Sequence, residues 1–192
     1  MSGEMTESAR TDDLPVLVAG AGPAGLTAAI SLARLGVETM LVERRAELSS
    51  LPRATAVSLR SMELLRLWGL EDAVRAGGVD VEWRGWQTGT LATAARGSAW
   101  PVGLPTREQA AVLSPTAPAC VPQDHLEPVL LEHLRSLDGT HVHLRTEVVG
   151  VADLRDGVEH APARLLGRLR AQTLLVASCG HRHTVFARQD VL

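Results

Sequence analysis

Gly20-Ala21-Gly22-Pro23-Ala24-Gly25 follows directly on the apolar run Leu14-Pro15-Val16-Leu17-Val18-Ala19. The spacing is G-x-G-x-x-G, and each glycine has a physical reason to be there. Gly20 permits a tight turn off a strand, Gly22 lets the backbone approach a pyrophosphate, and Gly25 lets helix and strand pack closely. An anion in such a turn meets free N–H groups and the positive end of a helix dipole, so no side chain has to donate. Alone, the same letters also describe an ordinary glycine-rich turn, and the flanking sequence has to decide between the two.

Leu14 to Ala19 has the uninterrupted apolar character of a fully buried parallel strand. A helix is predicted from Pro23 to Leu35, with Pro23 at the first helical position, where its missing N–H costs nothing. Leu26, Ala29, Ile30 and Ala33 form its apolar stripe, and Gly36 suits the position after its end. Val37 to Val42 is the next strand, which completes a βαβ unit. Glu43 closes that strand 18 residues after Gly25, near the ~20 expected of an acid that binds a ribose. A carboxylate there repels a 2′-phosphate, so the site suits FAD or NAD better than NADP. The other reading of Glu43 is a solvated strand-end carboxylate paired with Arg44 or Arg45.

Outward from this unit, Glu43 to Ala56 is predicted as loop and Ser58 to Trp68 as a helix burying Met62, Leu65 and Trp68, with Gly69 ending it. Leu70 to Arg75 is a further short helical piece. From Val81 to Pro122 the character changes: Trp83, Trp86, Thr88, Thr90 and Leu91 suggest one or two strands, and five prolines from Pro101 to Pro122 mark irregular chain. Asp124 to Leu137 is a helix with Leu126, Val129, Leu130, Leu134 and Leu137 on one face. Asp124 and Glu127 have capping-box spacing, and Pro128 is expected within the first turn. His141–Leu144, Glu147–Leu154 and Thr173–Ser178 are predicted strands, with an Asp156-Gly157 turn after the second. The domain expectation is a disordered leader over residues 1–13 and one nucleotide-binding domain over 14–192. Within it, 81–122 is an insertion belonging to the substrate side.

Composition narrows the function classes. Net charge is −3, all 19 basic residues are arginine, and no dense basic run marks a nucleic-acid or anionic-membrane partner. No apolar stretch approaches the ~20 residues of a membrane span, and the polar N-terminus lacks the apolar segment of a signal peptide. Cys120 and Cys179 form neither a CxxC pair nor a disulfide framework, which fits a cytoplasmic location. His141-x-His143 and His181-x-His183 each pair two imidazoles on a strand face without a close third ligand, so no metal is expected. Cys179 beside His181 lacks an orienting acid, and Trp83, Trp86 and Trp100 are expected as packing groups.

Val16 to Arg44 resembles the first βαβ unit of FAD enzymes of the glutathione-reductase structural class. Leu51-Pro52-Arg53-Ala54-Thr55 with Ser58 to Arg66 resembles the second signature of the group A flavoprotein monooxygenases, the para-hydroxybenzoate-hydroxylase-like family. Val121 to Leu130 resembles the family's next helix. Trp83-Arg84-Gly85-Trp86 and Leu113 to Thr116 are similar to the branch that hydroxylates phenols and aromatic polyketides. The fold implied is α/β, a Rossmann-like FAD-binding domain with a parallel sheet, incomplete relative to the family. The resemblance implies that Gly20, Gly22, Pro23, Ala24 and Gly25 cradle the FAD pyrophosphate and that Glu43 binds the adenosine ribose. It places Arg44 and the backbone near Val148 beside adenine, Arg53 near the flavin or pyrophosphate, and Gln123 on the ribityl chain. Arg53 is otherwise an ordinary loop cation, and Gln123 a helix N-terminal residue.

The family's third motif carries Asp-Gly followed by Ser and Arg. Here Gly180 and Arg182 are in place, while Cys179 stands at the Asp, His183 at the Ser and Phe186 at the Arg, so its flavin-phosphate and NADPH contacts are not carried over. The segment His160–Arg170 lacks the family's strand pattern, and family members continue for hundreds of residues beyond the length seen here. The implied activity is a monooxygenase in which NAD(P)H reduces FAD and the reduced flavin, with O₂, hydroxylates a small phenol or polyketide. No catalytic residue is assigned. Water exclusion needs a closed site, so uncoupled reduction of O₂ is the expected residual activity. The alternatives are a non-catalytic FAD-binding fragment or subunit, and a chain whose complementing C-terminal chain supplies the rest. A flavin disulfide reductase lacks its Cys pair here, and an NAD dehydrogenase does not explain the Arg53 and Gln123 signatures.

Overall fold

The computed structural model describes residues 12–53, 56–81, 83–100, 102–153, 168–175 and 183–189. The chain divides into two compact units, one of Met1–Leu48 with Leu130–Leu192 and one of Ser49–Val129.

In the first unit, β1 (Asp12–Ala19), α1 (Pro23–Arg34) and β2 (Thr39–Glu43) form the expected βαβ unit. Val16, Leu17 and Val18 of β1 and Met40, Leu41 and Val42 of β2 are all buried, as strands covered on both faces must be. Leu26, Ala29 and Ile30 are the buried stripe of α1, and Gly36 takes φ +76° just past its end. β7 (Thr140–Leu144) runs parallel to β2, and β9 (Arg168–Leu175) runs parallel to β1 on its other side. β10 (His183–Gln189) is antiparallel to β9, and β8 (Thr146–Asp153) is antiparallel to β10. The sheet order is β7-β2-β1-β9-β10-β8. Four parallel strands thus continue into two antiparallel ones. Arg145, at φ 57°, is the single residue between β7 and β8, the two strands at opposite ends of that order. Val148 of β8 packs against the buried cluster Leu17, Met40 and Val42, so the sheet folds over on itself.

In the second unit, β3 (Ala56–Val57) pairs antiparallel with β6 (Ala119–Cys120). α2 (Leu59–Leu67) begins at Ser58, whose hydroxyl accepts the Ser61 N–H at 3.2 Å, and buries Met62 and Leu65. α3 (Glu71–Ala76) follows after Gly69. The Glu71 carboxylate accepts from Arg66 at 2.7 Å, from Arg75 at 3.0 Å and from the Thr116 hydroxyl, which ties both helices to the segment before β6. β4 (Gly85–Gln87) and β5 (Ser98–Trp100) make a hairpin closed by a 3-10 turn, Leu91–Arg96. The Trp100 ring covers Gly85 and the Trp86 ring covers Gly97, while both indoles remain more than half exposed. These tryptophans pack within the hairpin, whereas Trp68 is the buried one.

Three expectations need correction. The proline-rich stretch is not wholly irregular, because α4 (Arg107–Leu113) forms there under a capping box in which Thr106 and Gln109 bond each other's backbone N–H. α5 (Gln123–Arg135) starts at Gln123, so Pro128 lies past the first turn and leaves the Asp124 carbonyl without its usual N–H partner. Asp124 is therefore inside the helix: the first intrahelical bonds run from the His125 and Leu126 N–H groups to the Pro122 carbonyl, and the Arg53 carbonyl accepts the Gln123 N–H that opens it. The last predicted strand begins earlier, at Arg168, because register with β1 carries the alternating Arg168-Leu169-Arg170 into the sheet. Most of the leader, the Asp156-Gly157 turn, and Cys179, Gly180, His181 and Arg182 lie outside the described residues.

Candidate functional site

The glycine loop sits where β1 ends, at the C-terminal edge of the parallel strands, which is where open α/β sheets bind ligands. Gly20 takes φ +104°, a backbone that L side chains rarely adopt, and turns the chain off β1. Its N–H donates to the Val42 carbonyl at 2.8 Å. A Cβ on Gly25 would collide with the carbonyl oxygen of Gly20, so the helix can approach the strand this closely only with glycine there. Gly22 caps α1, and Pro23 begins it. The first intrahelical bond runs from the Leu26 N–H to the Gly22 carbonyl. Ala24 and Gly25 therefore present N–H groups with no acceptor inside the helix, the arrangement that receives an anion.

Glu43 ends β2 and is half-buried. One carboxylate oxygen accepts the Ala21 N–H at 2.9 Å, and the other accepts the Arg45 N–H at 3.0 Å. Its partners are thus backbone groups on the loop and on the turn after β2. A pocket of about 260 Å³ opens beside it. Ala19, Gly20, Val42 and Glu43 line one side, and Arg44, Thr146, Glu147 and Val148 complete the lining. The structure thus brings together Gly20, Glu43, Arg44 and Val148 of the expected residues. Thr146 and Glu147 are additions. Nothing in the local sequence marks them, because β8 meets this pocket only through the fold-over at Arg145.

Arg53 and Gln123 belong to the second unit, where they are neighbours. The Gln123 N–H donates to the Arg53 carbonyl at 3.0 Å, and the Arg53 guanidinium donates to the Ser49 hydroxyl at 3.0 Å. Glu127, 2% exposed, anchors both ends of this arrangement. It accepts from the Gln123 side-chain amide at 2.5 Å and from the Ser49 N–H at 3.3 Å. A buried carboxylate has to be hydrogen-bonded in this way to be tolerated. The signal was available: Gln123 and Glu127 are four apart and face each other on a helix.

Among the described residues no group of three His, Cys, Asp or Glu side chains could hold a metal ion, and no helix is long and apolar enough to cross a membrane. Cys120 is a half-buried free thiol.

Comparison with known proteins follows the same lines. The profile of a family described as an FAD binding domain matches residues 13–177. The chain is 36% identical over 174 residues to a 2,4-dichlorophenol 6-monooxygenase of Cupriavidus pinatubonensis, covering 88% of this chain and 28% of that enzyme. It is 34% identical over 184 residues to aklavinone 12-hydroxylase DnrF of Streptomyces peucetius subsp. caesius, covering 90% of this chain and 37% of the relative. Among solved structures, aklavinone-11 hydroxylase in a ternary complex with FAD and aklavinone superposes with a TM-score of 0.58 at 33% identity. That match covers 75% of this chain and 27% of the other. The chain spans roughly a quarter to a third of the length of these relatives.

Proposed function

The chain belongs to the FAD binding domain family, and from that premise we propose that it binds FAD as the nucleotide-binding part of an NAD(P)H-dependent aromatic monooxygenase. The observation that carries this is the glycine loop held against β2, with the Glu43 carboxylate and a pocket beside it. The residues fit the group. The N–H groups of Gly22, Ala24 and Gly25 meet the pyrophosphate, with Pro23 fixing the backbone between them. Glu43 keeps lone pairs for the ribose hydroxyls beyond its two backbone partners. Arg44 and Val148 flank the adenine. Arg53 and Gln123, braced by Ser49 and Glu127, take the flavin and ribityl roles that the family resemblance implies.

When bound, FAD supplies the electron transfer and oxygen chemistry, and the protein supplies binding, orientation and electrostatics. The substrate class is a small phenol or aromatic polyketide, as the names of the relatives indicate for those proteins. NAD(P)H is the reductant, and the location is cytoplasmic. A complementing C-terminal chain is the further partner in this reading. The second reading is a non-catalytic FAD-binding subunit.

The test is the visible spectrum of the purified protein after incubation with FAD and removal of the excess, before and after anaerobic NADPH. Retained flavin bands that bleach support the monooxygenase reading. Bands that persist unbleached favour the non-catalytic subunit, and loss of all flavin overturns the proposal.

A further inference from the structure

A second cavity lies wholly within the second unit and shares no residue with the pocket beside Glu43. Its volume is about 390 Å³, at the small end of ligand-binding cavities, which run from roughly 300 to 1,000 Å³. Val79, Val81, Leu104 and Val121, with Pro105 and Pro118, make its walls apolar, and Trp83 adds a single aromatic ring. Val79 and Val81 are 61% and 50% exposed, so an apolar body seated there takes them out of water. Three charged side chains line the cavity, and two of them, Arg107 and Asp80, form an ion pair with each other. The third, Arg75, is held from one side. Its Nε–H donates to Glu71 at 3.0 Å, and its Nη2 donates to the Thr116 hydroxyl at 2.9 Å and the Ala117 carbonyl at 2.6 Å. Among the described residues nothing accepts from its Nη1. Glu71 is shared between Arg75 and Arg66, so this cluster keeps one positive charge in excess.

We propose that this cavity binds a medium-chain alkyl carboxylate, with the carboxylate on the Nη1 edge of Arg75 and the chain along the valine, leucine and proline walls. The guanidinium is already fixed by three hydrogen bonds, so little side-chain freedom is lost when a ligand takes its remaining N–H groups. One negative charge on the ligand matches the one in excess. A phosphate carries nearly two charges and three acceptor oxygens, more than this edge can satisfy. A flexible chain fits walls that are aliphatic on most sides, whereas a planar ring finds one indole to stack on. The site is independent of the nucleotide reading, since no residue of the glycine loop or of the Glu43 pocket takes part in it. The competing partner for the Nη1 edge is water, because the Arg75 side chain is 37% exposed.

Calorimetric titration of the whole chain with straight-chain acids from butanoate to octanoate tests this. Affinity is expected to rise at least about twofold per added CH₂, roughly half the effect of a fully buried methylene, because the cavity is open to solvent. Octanoate is expected to bind about tenfold or more tightly than 1-octanol, the effect of one hydrogen bond between charged groups. Arg75→Gln removes the anchor but also its ties to Glu71 and Thr116, so a second variant carries the test. Leu104→Glu sets a carboxylate inside the cavity without touching that network, and Leu104 is half-buried on a connecting segment, so the fold is kept. This variant is expected to weaken octanoate about tenfold or more. No binding of octanoate, no dependence on chain length, equal binding of 1-octanol, tighter binding of benzoate than of octanoate, or an octanoate affinity that survives Leu104→Glu each overturns the proposal. None of these outcomes touches the nucleotide site, which FAD retention tests separately.

Discussion

The carboxylate of Glu43 accepts the backbone N–H of Ala21 at 2.9 Å, so the end of β2 holds the second residue of the glycine loop in place. The same group is the proposed ribose acceptor. Glu43→Ala removes both functions and the bond to Arg45 as well. Losing bonds to a charged group at this depth costs about 1–3 kcal/mol. FAD affinity, followed by quenching of flavin fluorescence, is expected to fall at least tenfold in Glu43→Ala. Glu43→Gln, which retains an acceptor for Ala21, is expected to lose less. Equal losses in the two variants would mean that charge alone, and not the loop contact, sets affinity.

Gly25 and Gly36 separate two uses of glycine. A Cβ at Gly25 meets the Gly20 carbonyl, whereas at Gly36, with φ +76°, it meets nothing within 4 Å. Gly36→Ala is expected to cost about 1–2 kcal/mol of stability through left-handed backbone strain, with FAD binding intact. Gly25→Ala costs about 1–3 kcal/mol through overpacking and displaces the loop, so it should abolish FAD binding as well. Urea denaturation and flavin titration on both variants check the contrast.

Glu127 is buried and satisfies both the Gln123 amide and the Ser49 N–H. Glu127→Ala leaves those donors without an acceptor, at a cost of about 1–3 kcal/mol. Hydrogen exchange at Ser49 should accelerate in Glu127→Ala and change little in Glu127→Gln. An unchanged exchange rate in the alanine variant would show that the loop from Ser49 to Arg53 does not depend on this carboxylate.

Glu71 titrates far below an ordinary carboxylate. Burial alone would raise its pKa, but the hydrogen bonds from Thr116, Arg66 and Arg75 outweigh that and hold it at about 2. A pKa depressed in the folded state contributes stability that is present above the unfolded value and lost as pH falls towards the folded one. The urea midpoint is therefore expected to fall between about pH 4.5 and pH 2. Glu71→Gln should flatten that part of the profile, and an identical profile in the variant would assign the acid sensitivity elsewhere.

Trp68 is 7% exposed, whereas Trp83, Trp86 and Trp100 are 39%, 55% and 53% exposed. Acrylamide should quench most of the tryptophan emission and leave a blue-shifted remainder that disappears in Trp68→Phe. A remainder that survives this substitution would place a second indole out of solvent, as a partner covering the hairpin would.

The βαβ unit was legible because its information is local. Apolar runs, glycine spacing and a strand-end acid all lie within residues 14–43, and the structure keeps them nearly where the pattern puts them. The helix Arg107–Leu113 was hidden by its proline neighbours, although Thr106 and Gln109 carried the capping-box signal that defines its start. Thr146 and Glu147 were invisible for another reason. Their place in the pocket depends on β8 folding over β1 and β2, and that long-range event leaves no periodicity to find. Glu127 had helical spacing to Gln123, but its reading as a cap partner hid its role as a buried brace.

The turn at Arg145 has a consequence for the order in which the protein acquires its properties during synthesis. Residues 20–43 emerge from the ribosome early, before the strands that flank β1 and β2 in the sheet. The Glu147 side of the pocket, and the β1–β9 pairing that joins Asp12 to Leu169, come much later. Contacts that distant in sequence form slowly and last. The βαβ unit therefore waits on the nascent chain for β7 and β9, and in a ribosome-stalled series its backbone amides should gain protection only once residues 140–175 have emerged.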